Sequence, residues 1–384
     1  MISGELDRLV QGQLERWQVP GLVLGVLADG KTETRGYGTA GADSRLRVAS
    51  ITKPFTAMLS LTLVGEGLLE LDAPVLDEAI SLRHLLSHQA GLGFDLPDGL
   101  ERFRTGDGAL EAAVREHEGV RRFAAPGELW AYSNVGYYLA GALCARALGT
   151  PYEEALSVRV LEPLGLAATS FTTEGLLPGN DLYEQPGEYP RARRPAGGLV
   201  SSASDLLRFA SFHLTEDPVA RAMREPQVDA VGSRMGLGWS LEGPVVQHGG
   251  GLAGYRSLLA LVPERDVAVV VLASSGLARA AVQRICHRAL EELAGVVPEE
   301  PDLVELAPEA LEGFAGSYRA GHEEIRVRPE RGGLLVEAPP SPSALGLPVS
   351  EREFVILEGE EAGTRFDFPR PGLARFGLFA QRVA

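Results

Sequence analysis

The chain has 384 residues, a formal net charge of −16, and 45% hydrophobic against 23% charged residues. That length exceeds what one compact core usually spans, so a large domain plus a smaller one is expected, and the apolar share is enough to exclude a disordered chain. The acidic balance, with no basic block beyond Arg191, Arg193 and Arg194, excludes nucleic acid as a partner; with no apolar run of about eighteen residues and no secretory start, the chain reads as cytoplasmic with no membrane partner.

Residues 5–17 carry a helical pattern. The apolar stretch 21–27, the turn Ala28-Asp29-Gly30 and the alternating stretch 31–37 predict a β-hairpin, with Lys31 a surface charge just past the turn. From Pro54 onward Phe55, Met58, Leu59, Thr62 and Leu63 recur at helical spacing, which puts Ser50 at the start of a buried helix. Pro54 is tolerated there because the first helical turn has free amides in any case. Residues 81–180 read mostly as helices and turns, a helical insert within a subdomain of about 81–190. From Met235 the pattern changes to strands over 235–241, 245–248, 255–262 and 267–273, followed by a helix over 277–293. Hairpin, helices, strands and helix in this order predict an α+β domain whose antiparallel sheet combines strands from both ends of the sequence.

The Pro- and acid-rich stretch 295–308 reads as a linker. The expected organisation is a domain over 1–298, a linker over 299–308 and a small β-barrel over 309–384, with strands at 324–327, 333–337, 354–358 and 364–368. Cys144 and Cys286 are too far apart for a C-x-x-C site and read as small buried hydrophobes.

Only two of the 36 basic residues are lysines, Lys31 and Lys53, and only Asn134 and Asn180 are asparagines. Arginine can supply almost any surface positive charge but stays protonated, whereas a desolvated lysine can act as a base. Lys53 closes Ser50-Ile51-Thr52-Lys53, a spacing that puts hydroxyl and amine on one helical face within reach of each other. Taken alone the pattern also suits a helix-capping serine followed by a surface lysine, but the flanking residues are mainly apolar. Tyr132-Ser133-Asn134 offers a phenol, a hydroxyl and an amide ahead of a helical run; it suits either proton relay beside an amine or a core tyrosine with a capping Ser/Asn pair. His248-Gly249-Gly250-Gly251 follows a strand. Consecutive glycines allow close approach of a ligand and free amides for an oxyanion, or simply a tight hairpin turn. Gly249, Gly251 and Gly254 also spell a dinucleotide fingerprint, which the strands around them contradict. His84 and His88 lack the glutamate of H-E-x-x-H and read as structural, and His117, His213, His287 and His322 have no supporting constellation. No G-x-S-x-G elbow occurs, which argues against an α/β-hydrolase.

Ser50-x-x-Lys53, Tyr132-x-Asn134 and His248-Gly249-Gly250, in this order, resemble the three motifs of the serine β-lactamase and penicillin-binding-protein superfamily. More narrowly they resemble its class C-like branch of esterases, D-aminopeptidases and DD-carboxypeptidases. Val19-Pro20-Gly21, the segment 85–92, Pro163-Leu164-Gly165-Leu166 and Pro195-Ala196-Gly197-Gly198-Leu199 look like its linking segments, and 311–318 is similar to the start of a lipocalin-like barrel. The resemblance implies an antiparallel sheet flanked by helices plus a helical subdomain. It also implies a serine hydrolase in which Ser50 attacks a carbonyl while Lys53 and Tyr132 share the proton work. The amides of Ser50 and Gly251 would form the oxyanion hole, Asn134 would hold Lys53 or the substrate amide, and no metal or organic cofactor is needed. His248 stands where penicillin-recognising relatives carry a lysine, so efficient β-lactamase or DD-carboxypeptidase action is not expected. The expected substrates are short esters or amides of small D-amino-acid peptides. The alternatives are a β-lactamase or DD-carboxypeptidase, or a non-catalytic peptide- or cell-wall-binding module; the assembly state stays open between monomer and homo-oligomer.

Overall fold

The protein is described by a computed structural model over residues 1–75, 79–96, 105–115, 122–181, 189–297, 299–320, 323–339, 342–359, 361–376 and 379–383. The helices are α1 (Gly4–Trp17), α2 (Thr52–Gly65), α3 (Leu82–Leu86), α4 (Ala109–Arg115), α5 (Asn134–Leu148), α6 (Tyr152–Leu156), α7 (Arg194–Gly197), α8 (Ala203–Leu214), α9 (Pro218–Arg224), α10 (Arg279–Ala294) and α11 (Pro308–Phe314). The strands before the barrel are β1 (Gly21–Ala28), β2 (Lys31–Gly38), β3 (Leu46–Arg47), β4 (Val200–Ser201), β5 (Val228–Ala230), β6 (Ser233–Met235), β7 (Ser240–Glu242), β8 (Val245–Leu252), β9 (Tyr255–Val262) and β10 (Val267–Ala273). Those of the barrel are β11 (Gly316–Ala320), β12 (Glu323–Glu330), β13 (Gly333–Glu337), β14 (Ala344–Pro348), β15 (Glu353–Ile356), β16 (Arg365–Arg370), β17 (Leu373–Arg375) and β18 (Phe379–Arg382).

Eight strands make one antiparallel sheet in the order β2-β1-β10-β9-β8-β7-β6-β5, so the N-terminal hairpin is completed by strands from the far end of the domain. Every residue of β1 is buried, because the strand lies inside the sheet with both faces covered. Side chains along β1 and β10 alternate between two cores: Val23, Val270 and Leu272 face α2, α5 and α8, while Leu24, Val269 and Val271 face α1 and α10. That two-residue period fixes the register, since a slip of one residue would turn each set to the wrong layer. The α+β, class C-like fold expected from the sequence is the fold observed. Among the described residues no helix is long and apolar enough to cross a membrane, and both cysteines are free and buried.

Three local readings need correcting. Residues 235–241 are not one strand: β6 ends at Met235 and β7 begins at Ser240. Between them Gly238 adopts φ +87, and a Cβ there would come within 2.9 Å of Ala57 on α2, so the break is a glycine turn pressed against that helix. Strand β8 does not stop at His248 but runs through the glycines to Leu252, paired with β9 from Val246↔Leu261 to Leu252↔Tyr255. The glycine run is thus neither a turn nor a nucleotide loop. Finally, the chain enters the barrel through a helix, α11, which starts on Pro308 and buries Leu311 in the barrel core.

The barrel is closed, its eight strands running in sequence from β11 to β18, with β11 pairing back to β18 through Tyr318↔Arg382. Its core is largely aromatic, with Tyr318, Phe354, Phe366 and Phe368 buried together. Gly346 makes room for this, because a Cβ there would lie 2.4 Å from the Phe366 ring. Strands β11, β14, β17 and β18 escaped the sequence reading: each is three to five residues long and contains Gly, Pro or Arg, and closure of the barrel supplies their pairing partners.

Candidate active site

The nucleophile candidate sits on a short turn that the surrounding strands hold in place. Val48 donates its amide to Leu199 O at 3.0 Å, and Ser257 of β9 donates its hydroxyl to Val48 O at 2.9 Å. Ala49 is held at φ +47, an uncommon conformation for a residue with a Cβ. Ser50 follows in a single 3-10 turn, Ala49–Ile51, that leads into α2. One helical turn on, Lys53 is fully buried. Its Nζ lies 3.1 Å from Ser50 Oγ and 2.7 Å from Ala196 O, and 4.7 Å from the centre of the Tyr132 ring. Lys31, by contrast, is exposed at the start of β2.

Burial drives the Lys53 pKa well below the usual lysine range; Asp95 opposes this and Arg193 adds to it. Tyr132 moves the other way. Burial raises its pKa, its hydrogen bond with Ser50 pulls it back in part, and Tyr189 adds to the rise. An amine pushed toward neutrality and a phenol kept protonated therefore flank one hydroxyl, an arrangement suited to taking a proton from it.

In Tyr132-Ser133-Asn134 a helix cap and a contact with Ser50 stand side by side. Ser133 caps α5 by accepting from the Gly136 amide at 3.4 Å, while Tyr132 reaches Ser50. Asn134 opens α5, and its Nδ2 donates to Asp95 Oδ2 at 3.4 Å. The same carboxylate pairs with Arg193 at 2.5 Å and accepts from the Tyr138 hydroxyl at 3.1 Å.

Asp95 and His88 are site residues that sequence reasoning missed. His88, read as merely structural, stacks its ring 4.4 Å from that of Tyr132 and accepts the Ser133 amide on Nδ1 at 3.1 Å. Its own φ is +60. Burial first, then the charge on Lys53, pushes its pKa well down, which favours the neutral ring. His84 does something unrelated, closing a capping box with Ser81 at the start of α3. The one available signal for Arg193 was the short basic group at 191–194, noted only as a charge cluster. Its members instead form buried or half-buried pairs, Arg191 and Arg194 with Glu153 and Arg193 with Asp95.

The third motif forms the far wall. His248 is nearly buried, its ring 6.3 Å from that of Tyr132 and its Nδ1 2.7 Å from Gly249 O. Burial, with help from Lys53, pushes its pKa down to about 3, so the ring is neutral near pH 7. A Cβ at Gly250 would fall 2.2 Å from Val48 O and from Ser257 Oγ, so this glycine lets β8 approach the nucleophile turn itself; a Cβ at Gly249 would meet nothing nearer than 3.8 Å. Ser50, Tyr132, His248 and Gly251 open on one cavity of about 1250 Å³, whose lining also includes Leu357 and Phe376 of the barrel domain. Residues 97–104 and 116–121, His117 among them, lie outside the described residues, as does His322. His213 packs against Phe209 and Trp239, whereas His287 lines the cavity. Among the described residues no group of three or more His, Cys, Asp or Glu is placed to hold a metal ion.

Known proteins with this organisation can now be set beside it. The family model described as Beta-lactamase matches residues 6–289. Penicillin-binding protein 4 of Amycolatopsis lactamdurans is 28% identical over 363 residues, covering 78% of this chain and 93% of that protein. SurE, whose crystal structure was solved with D-Leu, is 25% identical with a TM-score of 0.77, and the match covers 99% of both chains. A class C beta-lactamase shares the fold at 20% identity and TM-score 0.69, over 77% of this chain and 97% of that one.

Proposed function

This chain belongs to the Beta-lactamase family, and within that family of serine hydrolases we propose that it works through an acyl-enzyme on Ser50, cleaving short esters or amides of small D-amino-acid peptides. The observation that carries this reading is the buried Lys53 amine 3.1 Å from Ser50 Oγ. Neutral Lys53 takes the Ser50 proton as Oγ attacks the carbonyl carbon, and the amides of Ser50 and Gly251 receive the developing oxyanion. Tyr132, hydrogen-bonded to Ser50 and held as a phenol, donates to the leaving amine or alcohol as the tetrahedral intermediate collapses. It recovers its proton from the Lys53 ammonium, and water then attacks the ester along the reverse proton route. Asn134, anchored by Asp95, binds the substrate amide. His248 is neutral down to about pH 3, so an acid limb of the rate above that pH belongs to Lys53: activity falls as the amine is protonated.

The substrate class rests on three supports. The third motif offers no permanent cation, which disfavours a substrate that must present a free carboxylate there. A cavity of about 1250 Å³ exceeds the roughly 300–1,000 Å³ of most small-molecule sites and suits an extended peptide. SurE was solved with a D-amino acid. A β-lactamase or DD-carboxypeptidase reading is favoured by the penicillin-binding relative and opposed by the neutral His248.

The test is the initial rate on p-nitrophenyl butyrate and on D-alanine p-nitroanilide, each with Ser50→Ala as control, and intact-mass detection of an acyl adduct. Ser50-dependent turnover of either substrate with an adduct supports the hydrolase. The absence of any Ser50-dependent rate on both would put a peptide-binding module in its place.

A further inference from the structure

We propose that Arg375, a residue of the C-terminal barrel, positions Tyr132 for the reaction, so that the barrel completes the catalytic geometry; this rests on the role given to Tyr132 above. The barrel meets the catalytic domain on the segment 122–131, immediately before that tyrosine. Phe379 stacks on Phe123 with ring centres 5.1 Å apart, and Leu373 and Phe379 share a small apolar cluster with Ala131. Arg370 donates to Phe123 O and pairs with Glu128. The contact nearest the chemistry is Arg375 Nη1 to Trp130 O at 2.8 Å.

One peptide unit is consequently held from both domains. The carbonyl joining Trp130 to Ala131 accepts from Arg375 of the barrel, and the N–H of the same unit donates to His88 O at 3.0 Å in the catalytic domain. The next residue is Tyr132, and the one after it, Ser133, is again fixed on His88. With the plane before Tyr132 and the Ser133 amide after it both held, few backbone rotations are left to set the direction in which the Tyr132 side chain leaves. Arg375 is itself held: Asp367 accepts from its Nε at 2.7 Å and from its Nη2, and the two side chains are only 12% and 13% exposed. A guanidinium whose fork is taken by a carboxylate has one remaining edge in a set direction, which makes it a rigid donor. Displacements of about 1 Å in catalytic groups cost on the order of a hundredfold in rate, so a clamp one residue from Tyr132 bears on turnover rather than on binding.

Two variants of the full-length protein separate this role from simple support of the fold. Arg375→Lys keeps a cation beside Asp367 but cannot span both the carboxylate and the Trp130 carbonyl. Arg375→Gln combined with Asp367→Asn removes the guanidinium without leaving a buried carboxylate unpaired. Each is measured for kcat, KM and thermal unfolding, alone and in a Tyr132→Phe background, on whichever of the two chromogenic substrates is turned over. The expected result is a fall in kcat of about tenfold or more with KM within about twofold, and disappearance of that loss in the Tyr132→Phe background. An unchanged kcat in either variant that unfolds as a normal cooperative protein overturns the proposal, as does the same fold-loss with and without Tyr132. Wild-type rates in Tyr132→Phe alone would instead overturn the role given to the tyrosine, and this proposal with it.

Discussion

The central sheet has two faces that differ in kind. The face toward α1 and α10 is closed mainly by aliphatic side chains, with Leu24, Val269 and Val271 meeting Leu6, Val282 and Ile285, and Tyr37 and Cys286 join the same core. The opposite face carries a mixed aliphatic and aromatic core of its own, and beside that core, next to β8, lie an amine, two imidazoles and an ion pair: Lys53, His88, His248 and Asp95 with Arg193. Burying an amine or imidazole favours its neutral form and costs folding free energy, whereas burying a leucine contributes to it. The back face therefore supplies stability that the front face spends on perturbed pKa values, and substitutions on the two should move different observables.

The sharpest break in this contrast is Lys53→Met. It removes the base, so kcat/KM should fall by at least about a thousandfold. The stem is fully buried and methionine fits a similar volume, while Ala196 O loses its donor, so unfolding in urea should show stability within about 2 kcal/mol of wild type. A marked loss of stability would mean that the amine supports the fold. The mirror-image substitution is Leu24→Ala in β1, fully buried on the back face. It should cost about 2–5 kcal/mol in urea unfolding while leaving kcat, measured well below the unfolding midpoint, within about twofold.

A smaller effect sharpens the comparison through pH. His88, His213 and His248 are all buried with pKa values below the ordinary histidine range, the last two at about 3. Each binds a proton in the unfolded chain near pH 6.5 but not in the folded one. The contribution of these rings to stability should thus be full above about pH 6.5 and decline as pH falls below it, continuing toward the folded values near 3. Urea midpoints at pH 8, 6.5 and 5 measure it, and His213→Phe, which touches none of the catalytic groups, should flatten part of the slope. A midpoint independent of pH over that range would contradict the burial of these rings.

What could be read from the sequence follows the range of the interactions involved. The Ser50–Lys53 pairing needs only one helical turn, and the motif's spacing places it. The hairpin β1–β2 and the strands β9 and β10 are announced by their own apolar pattern, because two-residue periodicity and turn glycines are local signals. His88 is different: its neighbours in sequence give no reason to place it under Tyr132, and its contact there depends on how α3 and the segment before α5 pack. Asp95 and Arg193 stand 98 residues apart in the chain and meet only through the fold. The glycines of β8 were legible as unusual but not as strand, since their purpose is to approach Val48 rather than to turn.

By itself, then, the sequence determined the chemistry on offer: a serine and a deprotonatable amine at helical spacing, a tyrosine and amide later, and a histidine followed by three glycines. The tertiary structure decided how that chemistry is assembled. The Lys53 amine is held by a carbonyl 143 residues away, and the Trp130 carbonyl, two residues before Tyr132, accepts from an arginine 245 residues further along the chain. Local spacing can encode which groups share a helical turn, but burial, and the pKa shifts that come with it, exist only once distant segments have closed around them.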